Sequence, residues 1–306
     1  MKKTQFLLTF LFIIALTGTS QAIADYKIFF SKEKTNIIIP EAQEPEESFD
    51  GIISQATYQG FHNSSNELYY GMDITLSPDG NNIYIISSNP DSVFQYTLGT
   101  PWDISTANLH GQSTTSGFDG FPVALDLNDD GTKIFSSGGS TNRIAVHNLS
   151  TPWDVTTASF ASSGAIDKNI VDSVSDIQFY NNGQNILISD YTTDMIYDFS
   201  LPVAWNPANM TLIGSSPSFN SQTPSLNGFH LLKDGKTLLI TGQSSDTVFR
   251  YKLNTPWNIS TAQYENDFFS VKTQEGNVGG VYLSIPASKF YVTGFGSGDI
   301  HEYSIP

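Results

Sequence analysis

Cysteine is absent from all 306 residues. This excludes a disulfide framework, a thiol nucleophile and a thiolate metal site, so stability has to come from buried area, which a chain of this length can provide. Cations are scarce: 14 Lys and Arg stand against 30 Asp and Glu, the net charge is −16, and Arg143 and Arg250 are the only arginines. Binding to a nucleic-acid backbone or to anionic lipid requires clustered cations, so neither is expected. Acidity of this degree bears on solubility more than on one particular partner. Long apolar runs are missing as well. The longest, FLLTFLFIIALTG at 6–18, has 13 residues and is too short for a comfortable membrane span. No segment shows helical periodicity.

That apolar run has a local explanation. Lys2 and Lys3 precede it, and Ala22, Ile23 and Ala24 follow, which is the pattern of a secretory signal peptide with an A-x-A cleavage site. Residues 1–24 are therefore read as a signal peptide whose removal leaves Asp25 first and a net charge of −18. No Cys follows the apolar core, which excludes a lipoprotein anchor. The expected product is exported, periplasmic or extracellular, without a membrane span after cleavage, and monomeric.

What the chain has in abundance is itself. Trp102, Trp153, Trp205 and Trp257 recur at intervals of 51, 52 and 52 residues, within TPWDISTANL, TPWDVTTASF, LPVAWNPANM and TPWNISTAQY. Gly80, Gly131, Gly183 and Gly235 recur at the same intervals, closing SPDG, NDDG, YNNG and LKDG. A fifth copy, SIPAS at 284–288, keeps the spacing without the glycine. Two landmarks holding one period mark internal repeats.

Each unit reads as four short strands. Runs such as MDITLS, NIYIISS and SVFQYTL alternate or are rich in Val, Ile, Phe and Tyr, and turn residues separate them. Asn, Asp and Gly at the first turn tolerate the positive φ that tight hairpins require. Four-stranded units repeated every 40–50 residues are the blades of a β-propeller. The last unit ends at IHEYSIP without its Pro-Trp segment, and ISQATY at 53–58 aligns with ISTANL at 104–109. The sequence thus predicts an all-β, five-bladed β-propeller of four-stranded antiparallel blades over 51–306, closed by an N-terminal strand that completes the C-terminal blade. Such closure removes an exposed sheet edge. Residues 25–50 stand apart as an acidic linker, EAQEPEESFD, preceded by DYKIFF and TNIII, which are apolar enough to add an outer strand or dock on a blade.

Within each unit proline turns the chain after the third strand. The tryptophan is expected to pack between blades, and the Asp or Asn after it to cap the turn. The competing reading makes the tryptophans sugar platforms, one per blade. Gly51 stands where the fifth Trp would project, with Phe49 close by as a substitute. The PWD-[IV]-STA unit, the DG hairpin and the D-x-V-F-x-Y third strand resemble exported bacterial β-propeller repeat proteins and, more loosely, YncE-like and lactonase-like propellers. The resemblance covers 51–306 and implies a fold and an exported setting. Its motifs are structural and carry over no catalytic residue.

Candidate chemistry is thin. The start of the innermost strand aligns Asp73, Ala124, Asp176, Gly228 and Gly280. Asp73 and Asp176 are candidate ligands for a channel cation, since hard cations take carboxylate oxygens, or else are solvated or backbone-bonded. Asp126, Asn128 and Asp130 form D-x-N-x-D-G, the opening of a calcium loop, but the twelfth position is Ser137 and the motif fills the hairpin slot of the other repeats. The column Asp91, Asn142, Asp194, Asp246 and Gly298 is read as turn residues. No G-x-S-x-G or H-E-x-x-H occurs. The expectation is a non-enzymatic binding or scaffolding module for a protein or glycan, with no cofactor. Its alternatives are a lactonase-like hydrolase holding calcium or another divalent cation in the channel, and a lectin using the repeated tryptophans. The loops before each innermost strand differ between repeats and are where function is expected.

Overall fold

A computed structural model describes residues 49–114 and 120–306. The expected signal peptide at 1–24 and nearly all of the segment 25–50 lie outside the described residues. Strand β1 (Thr57–His62) leads into five four-stranded antiparallel sheets. Blade 1 holds β2 (Gly71–Leu76), β3 (Asn82–Ser88), β4 (Asp91–Leu98) and β5 (Ala107–Thr114). Blade 2 holds β6 (Pro122–Leu127), β7 (Lys133–Gly138), β8 (Arg143–Leu149) and β9 (Ala158–Ala165). Blade 3 holds β10 (Val174–Tyr180), β11 (Asn185–Asp190), β12 (Met195–Ser200) and β13 (Thr211–Ser215). Blade 4 holds β14 (Leu226–Leu231), β15 (Thr237–Gly242), β16 (Thr247–Leu253) and β17 (Ala262–Ser270). Blade 5 is β18 (Val278–Ser284), β19 (Lys289–Gly294) and β20 (Ile300–Ser304), completed by β1. The first strands of the blades neighbour one another in cyclic order, and β18 returns to β2. The protein is a five-bladed propeller.

Burial follows position within the blade. Second strands are covered by a neighbour on each face, so Ile83, Tyr84, Ile85 and Ile86 are all fully buried and their sequence reads as one apolar run. Outer strands are more exposed, and β1 alternates residue by residue. Every pairing of a third with an outer strand contains a bulge at the same place, for example between Gln95 and Tyr96. Bulges of this kind twist an edge away from unwanted pairing.

The two sequence landmarks prove to be one contact. Each Trp N–H donates to the carbonyl of the hairpin glycine of its own blade, at 2.8–2.9 Å. The glycines sit at φ between 65° and 73°, and a Cβ on any of them would fall inside the adjoining indole. The tryptophans themselves lie at φ between 61° and 65°, a region costing an L-residue about 1–2 kcal/mol. That cost is offset on the other side, where each Trp meets the preceding blade. Trp257 stacks parallel on Tyr180 at 5.2 Å, and Trp205 stacks on Phe135 at 5.9 Å. The Tyr84 hydroxyl donates to the Trp153 carbonyl at 2.9 Å, and Tyr291 to that of Trp102 at 2.8 Å. The next residue caps a short 3₁₀ turn, with Asp103, Asp154 and Asn258 each accepting from the N–H two residues on.

Closure is antiparallel pairing of β1 with β20, Thr57 opposite Ser304 and His62 opposite Ile300. Blade 4 latches this incoming strand. Asp267 accepts from the Ile53 and Ser54 N–H groups at 3.0 and 2.8 Å. Arg250 pairs with Asp267 and Glu265 at 3.0 and 2.9 Å, donates to the Gly51 carbonyl and lies over the Phe49 ring. Phe49 also fills the space against Gly51 that a tryptophan occupies in the other blades.

Because Trp153 is held at positive φ, two substitutions separate packing from strain. Trp153→Ala loses the ring while keeping an L-residue in that conformation and is expected to lower stability by about 3 kcal/mol. Trp153→Gly is expected to cost less than Ala, since glycine adopts the conformation freely. Urea denaturation of both variants checks the order. A glycine variant clearly less stable than the alanine variant would contradict it.

Candidate functional site in the central channel

Channel-facing side chains are mostly engaged by the neighbouring blade. Asp73 accepts from its own Ile74 N–H at 2.7 Å and from Leu125 of blade 2 at 2.8 Å. Asp176 accepts from Ile177 at 2.6 Å and from Phe229 of blade 4 at 2.7 Å. Asp126 accepts from Leu127 at 2.8 Å and from Phe179 of blade 3 at 2.6 Å. Gln178 bonds both ways with Leu231, and His230 Nδ1 accepts from Leu283 N–H at 2.9 Å. At the seam between blades 5 and 1 the inner strands approach too closely for a side chain. A Cβ on Gly280 would collide with Asp73.

Asp73 and Asp176 do meet, across the channel from non-adjacent blades, and are 3% exposed each. Burial drives both carboxyls well above the ordinary range, and the charge of Asp73 beside it raises Asp176 further. Burial likewise pushes Asp126 up to about 8; it is half-buried near the lower mouth, where water screens the shift. His230, also desolvated, is lowered to about 3, so its ring is neutral at any ordinary pH. The D-x-N-x-D-G run divides. Asp126 reaches across to blade 3, while Asn128 and Asp130 tie the hairpin, Asn128 accepting from the Lys133 N–H at 2.7 Å and Asp130 from Thr132 at 3.0 Å. Among the described residues no group of three or more His, Asp or Glu is arranged to hold a metal ion.

The lower mouth is a cavity of about 180 Å³ that Trp102, Trp153 and Trp205 line together with Asp126, Gln178 and His230. All four repeated tryptophans, Trp257 included, are half-buried against their hairpin glycines. Stacking on Tyr180 and Phe135 further occupies the rings of Trp257 and Trp205.

The upper mouth, at the N-terminal ends of the inner strands, is different. A cavity of about 270 Å³ is walled by Met72, Val123 and Val174, ringed by Phe121, Tyr191 and Phe295, and carries Ser173, Ser175, Asn227 and Gln243 as its polar groups. Among the described residues nothing titratable near neutral pH lines it. Three aromatics around this opening are exposed, Tyr69 at 60%, Phe121 at 44% and Tyr191 at 39%. Tyr69 packs edge-on against Tyr70, which leans on Phe295.

Sequence reasoning placed function in the loops before the inner strands but missed a second contributor, the residue that closes or follows each second strand. That column reads Ser88, Gly139, Tyr191, Gln243 and Phe295, and four of its members line the cavity. Its signal is divergence: neighbouring columns repeat while this one does not. The column Asp91, Asn142, Asp194, Asp246 and Gly298 does more than turn the chain. Asn142, Asp194 and Asp246 adopt φ of 49°, 55° and 47°. Asp194 then accepts from the Leu226 N–H of the next blade at 2.9 Å, and Asn142 donates to the Val171 carbonyl at 2.6 Å.

Comparison with family models and with curated proteins gave no match. Solved structures are similar in shape. Glutaminyl cyclase of Myxococcus xanthus aligns with a TM-score of 0.56 at 10% identity, over 82% of this chain and 96% of that one. The β-propeller domain of Cps50 (Swd1) from Myceliophteria thermophila gives 0.47 at 8% identity, over 82% of this chain and all of that one. A functionally unknown protein from Desulfotomaculum acetoxidans gives 0.43 at 13% identity, over 74% of this chain and 63% of that one. At such identities the likeness extends to the fold alone. Among the described residues no helix is long and apolar enough to cross a membrane.

The raised carboxyls of Asp73 and Asp176 have a consequence for stability. The unfolded carboxyls ionise near pH ~4, whereas the native pair stays protonated to higher pH. The native state therefore binds more protons above that point, and stability falls as pH rises through the raised native range. Asp176→Asn removes one titrating member of the pair. In urea denaturation at pH 5 and pH 8, the wild type is expected to lose stability relative to the variant on going to pH 8. The lowered His230, common to both proteins, cancels in this difference, and parallel profiles would contradict the assignment.

Proposed function

We propose that this chain is an exported, non-enzymatic β-propeller of the bacterial repeat type, a binding or scaffolding module that receives a protein or a glycan at the upper mouth of its channel. The lining of the 270 Å³ cavity carries this reading: aromatic and aliphatic walls with a few neutral hydrogen-bonding groups and, among the described residues, no nucleophile–base pair. Exposed aromatics gathered round one opening are the usual anchors of recognition surfaces. Export is supported by the signal-peptide pattern of residues 1–24. The acid–base groups of the channel lie elsewhere, their oxygens occupied by backbone N–H groups.

A direct test is to screen peptide and glycan arrays with the wild type and with Tyr191→Ala. Tyr191 is part exposed and outside the hydrophobic clusters, so the variant is expected to fold as the wild type does and to lose binding at least tenfold. Ligands held equally by both proteins would move the site elsewhere.

One observation favours a second reading, a hydrolase with a divalent cation in the channel. Asp73 and Asp176 are close enough to share a proton, and a cation can take a proton's place between two carboxylates. The two readings separate on melting with calcium and with chelator. A binding module without metal shows no shift, whereas a channel cation raises the melting temperature and chelator reverses it.

A further inference from the structure

The proposal above leaves two classes of ligand open, and the hydrogen bonds of the upper mouth distinguish them. The cavity's polar groups are few and largely engaged with the protein. Ser175 Oγ and Ser189 Oγ bond to each other at 2.8 Å. Asn227 Nδ2 donates to the Val278 carbonyl at 2.9 Å. Gln243 Oε1 accepts from the Tyr191 hydroxyl at 3.1 Å. A sugar ring brings several hydroxyls, and each one buried without a partner costs about 1–3 kcal/mol. The walls of Met72, Val123, Val174 and Phe295 offer a sugar's hydroxyls nothing. An aliphatic or aromatic side chain loses nothing there and gains by leaving water. Among the described residues the groups that remain are the Ser173 hydroxyl, Gln243 Nε2, a donor, and Asn227 Oδ1, an acceptor, and the last two complement the C=O and N–H of one peptide unit.

Charge narrows the partner further. On this face Asp167 and Asp172 are exposed, and Asp190, Asp194, Glu275 and Asp299 are buried at strand ends and turns where backbone N–H groups hold them, against the exposed Arg143, Lys168 and Lys272. The whole chain adds a net charge of −16. Such a field attracts a cationic partner and raises its rate of encounter.

Resting on the binding-module reading, we infer that the upper mouth takes a protein partner, seating one projecting apolar side chain of a basic segment in the cavity between Phe121, Tyr191 and Phe295. The aromatic rim packs around the flanking backbone, and lysine or arginine on either side faces the acidic loops. A neutral glycan is not the ligand of this site.

Gly139 supplies a clean test. It lines the cavity, its backbone is not in the left-handed region, and a Cβ there would meet no heavy atom within 4 Å. Gly139→Leu therefore fills the opening without displacing a neighbour, and an unchanged melting curve confirms that it folds. The probes are capped heptapeptides with central phenylalanine flanked by lysines, the same with flanking glutamates, the lysine peptide with central serine, and neutral oligosaccharides. Binding is read by titration calorimetry. The lysine-flanked phenylalanine peptide is expected to bind at least tenfold tighter than either of the other two peptides, and Gly139→Leu to abolish that binding. An oligosaccharide that binds and is displaced by Gly139→Leu, while the peptides fail, overturns the inference and leaves the binding module standing. If no probe of either class responds to Gly139→Leu, both fall.

Discussion

The blades hold one another through backbone N–H groups that one blade offers and a side chain of the preceding blade accepts. Asp73, Asp126, Asp176, Gln178 and His230 do this around the channel. Further out, Gln95 accepts from Val155, Glu302 from Ile104, and Asp267 from Ile53 and Ser54. A blade is a thin sheet with two apolar faces and is stable only when both neighbours are present, so the ring needs every joint. The seam between blades 5 and 1 lacks an inner clamp because Gly279 and Gly280 press directly on β2. It is held outside instead, where Lys289 and Tyr291 both donate to the Trp102 carbonyl at 2.8 Å and Lys289 pairs with Glu302 at 2.6 Å. The latch of Arg250 and Asp267 serves the strand that arrives from the far end of the chain.

This division of labour explains why the two mouths differ. At the lower mouth every blade contributes the same hairpin or its remnant, and in four blades the tryptophan is locked onto the hairpin glycine, so these positions repeat. The upper mouth is built from loops and from residues that close or follow the second strands, where the contacts between blades, such as Tyr191 to Gln243 and Asn227 to Val278, differ from seam to seam. Those positions are free to become Tyr191, Gln243 or Phe295. The channel carboxylates between the mouths join blades through the backbone N–H groups they accept from.

The same logic sets what the sequence reveals. Strand count, blade number and closure by the N-terminal strand are legible because each depends on a residue that recurs at a fixed interval. The link between Gly131 and Trp153 is not legible, because positive φ at a tryptophan runs against its intrinsic preference and only the tertiary contact explains it. Asp126 looks like part of a calcium loop with Asn128 and Asp130, yet it is the second-to-last residue of a strand whose alternation sends it to the channel, away from both. Asp73 and Asp176 are legible as channel residues from their column, but their use as joints follows only from the N–H groups they meet. The upper cavity leaves the faintest trace, an absence of repetition among positions that otherwise repeat.

The most direct measurement is methyl NMR of the isotopically labelled protein during titration with the lysine-flanked phenylalanine peptide. Met72, Val123 and Val174 report on the upper cavity, and Leu76, Leu127 and Ile285 on the lower mouth. Ring-current shifts confined to the first group are the predicted result. Shifts confined to the second group, or none at saturating peptide, would contradict the account.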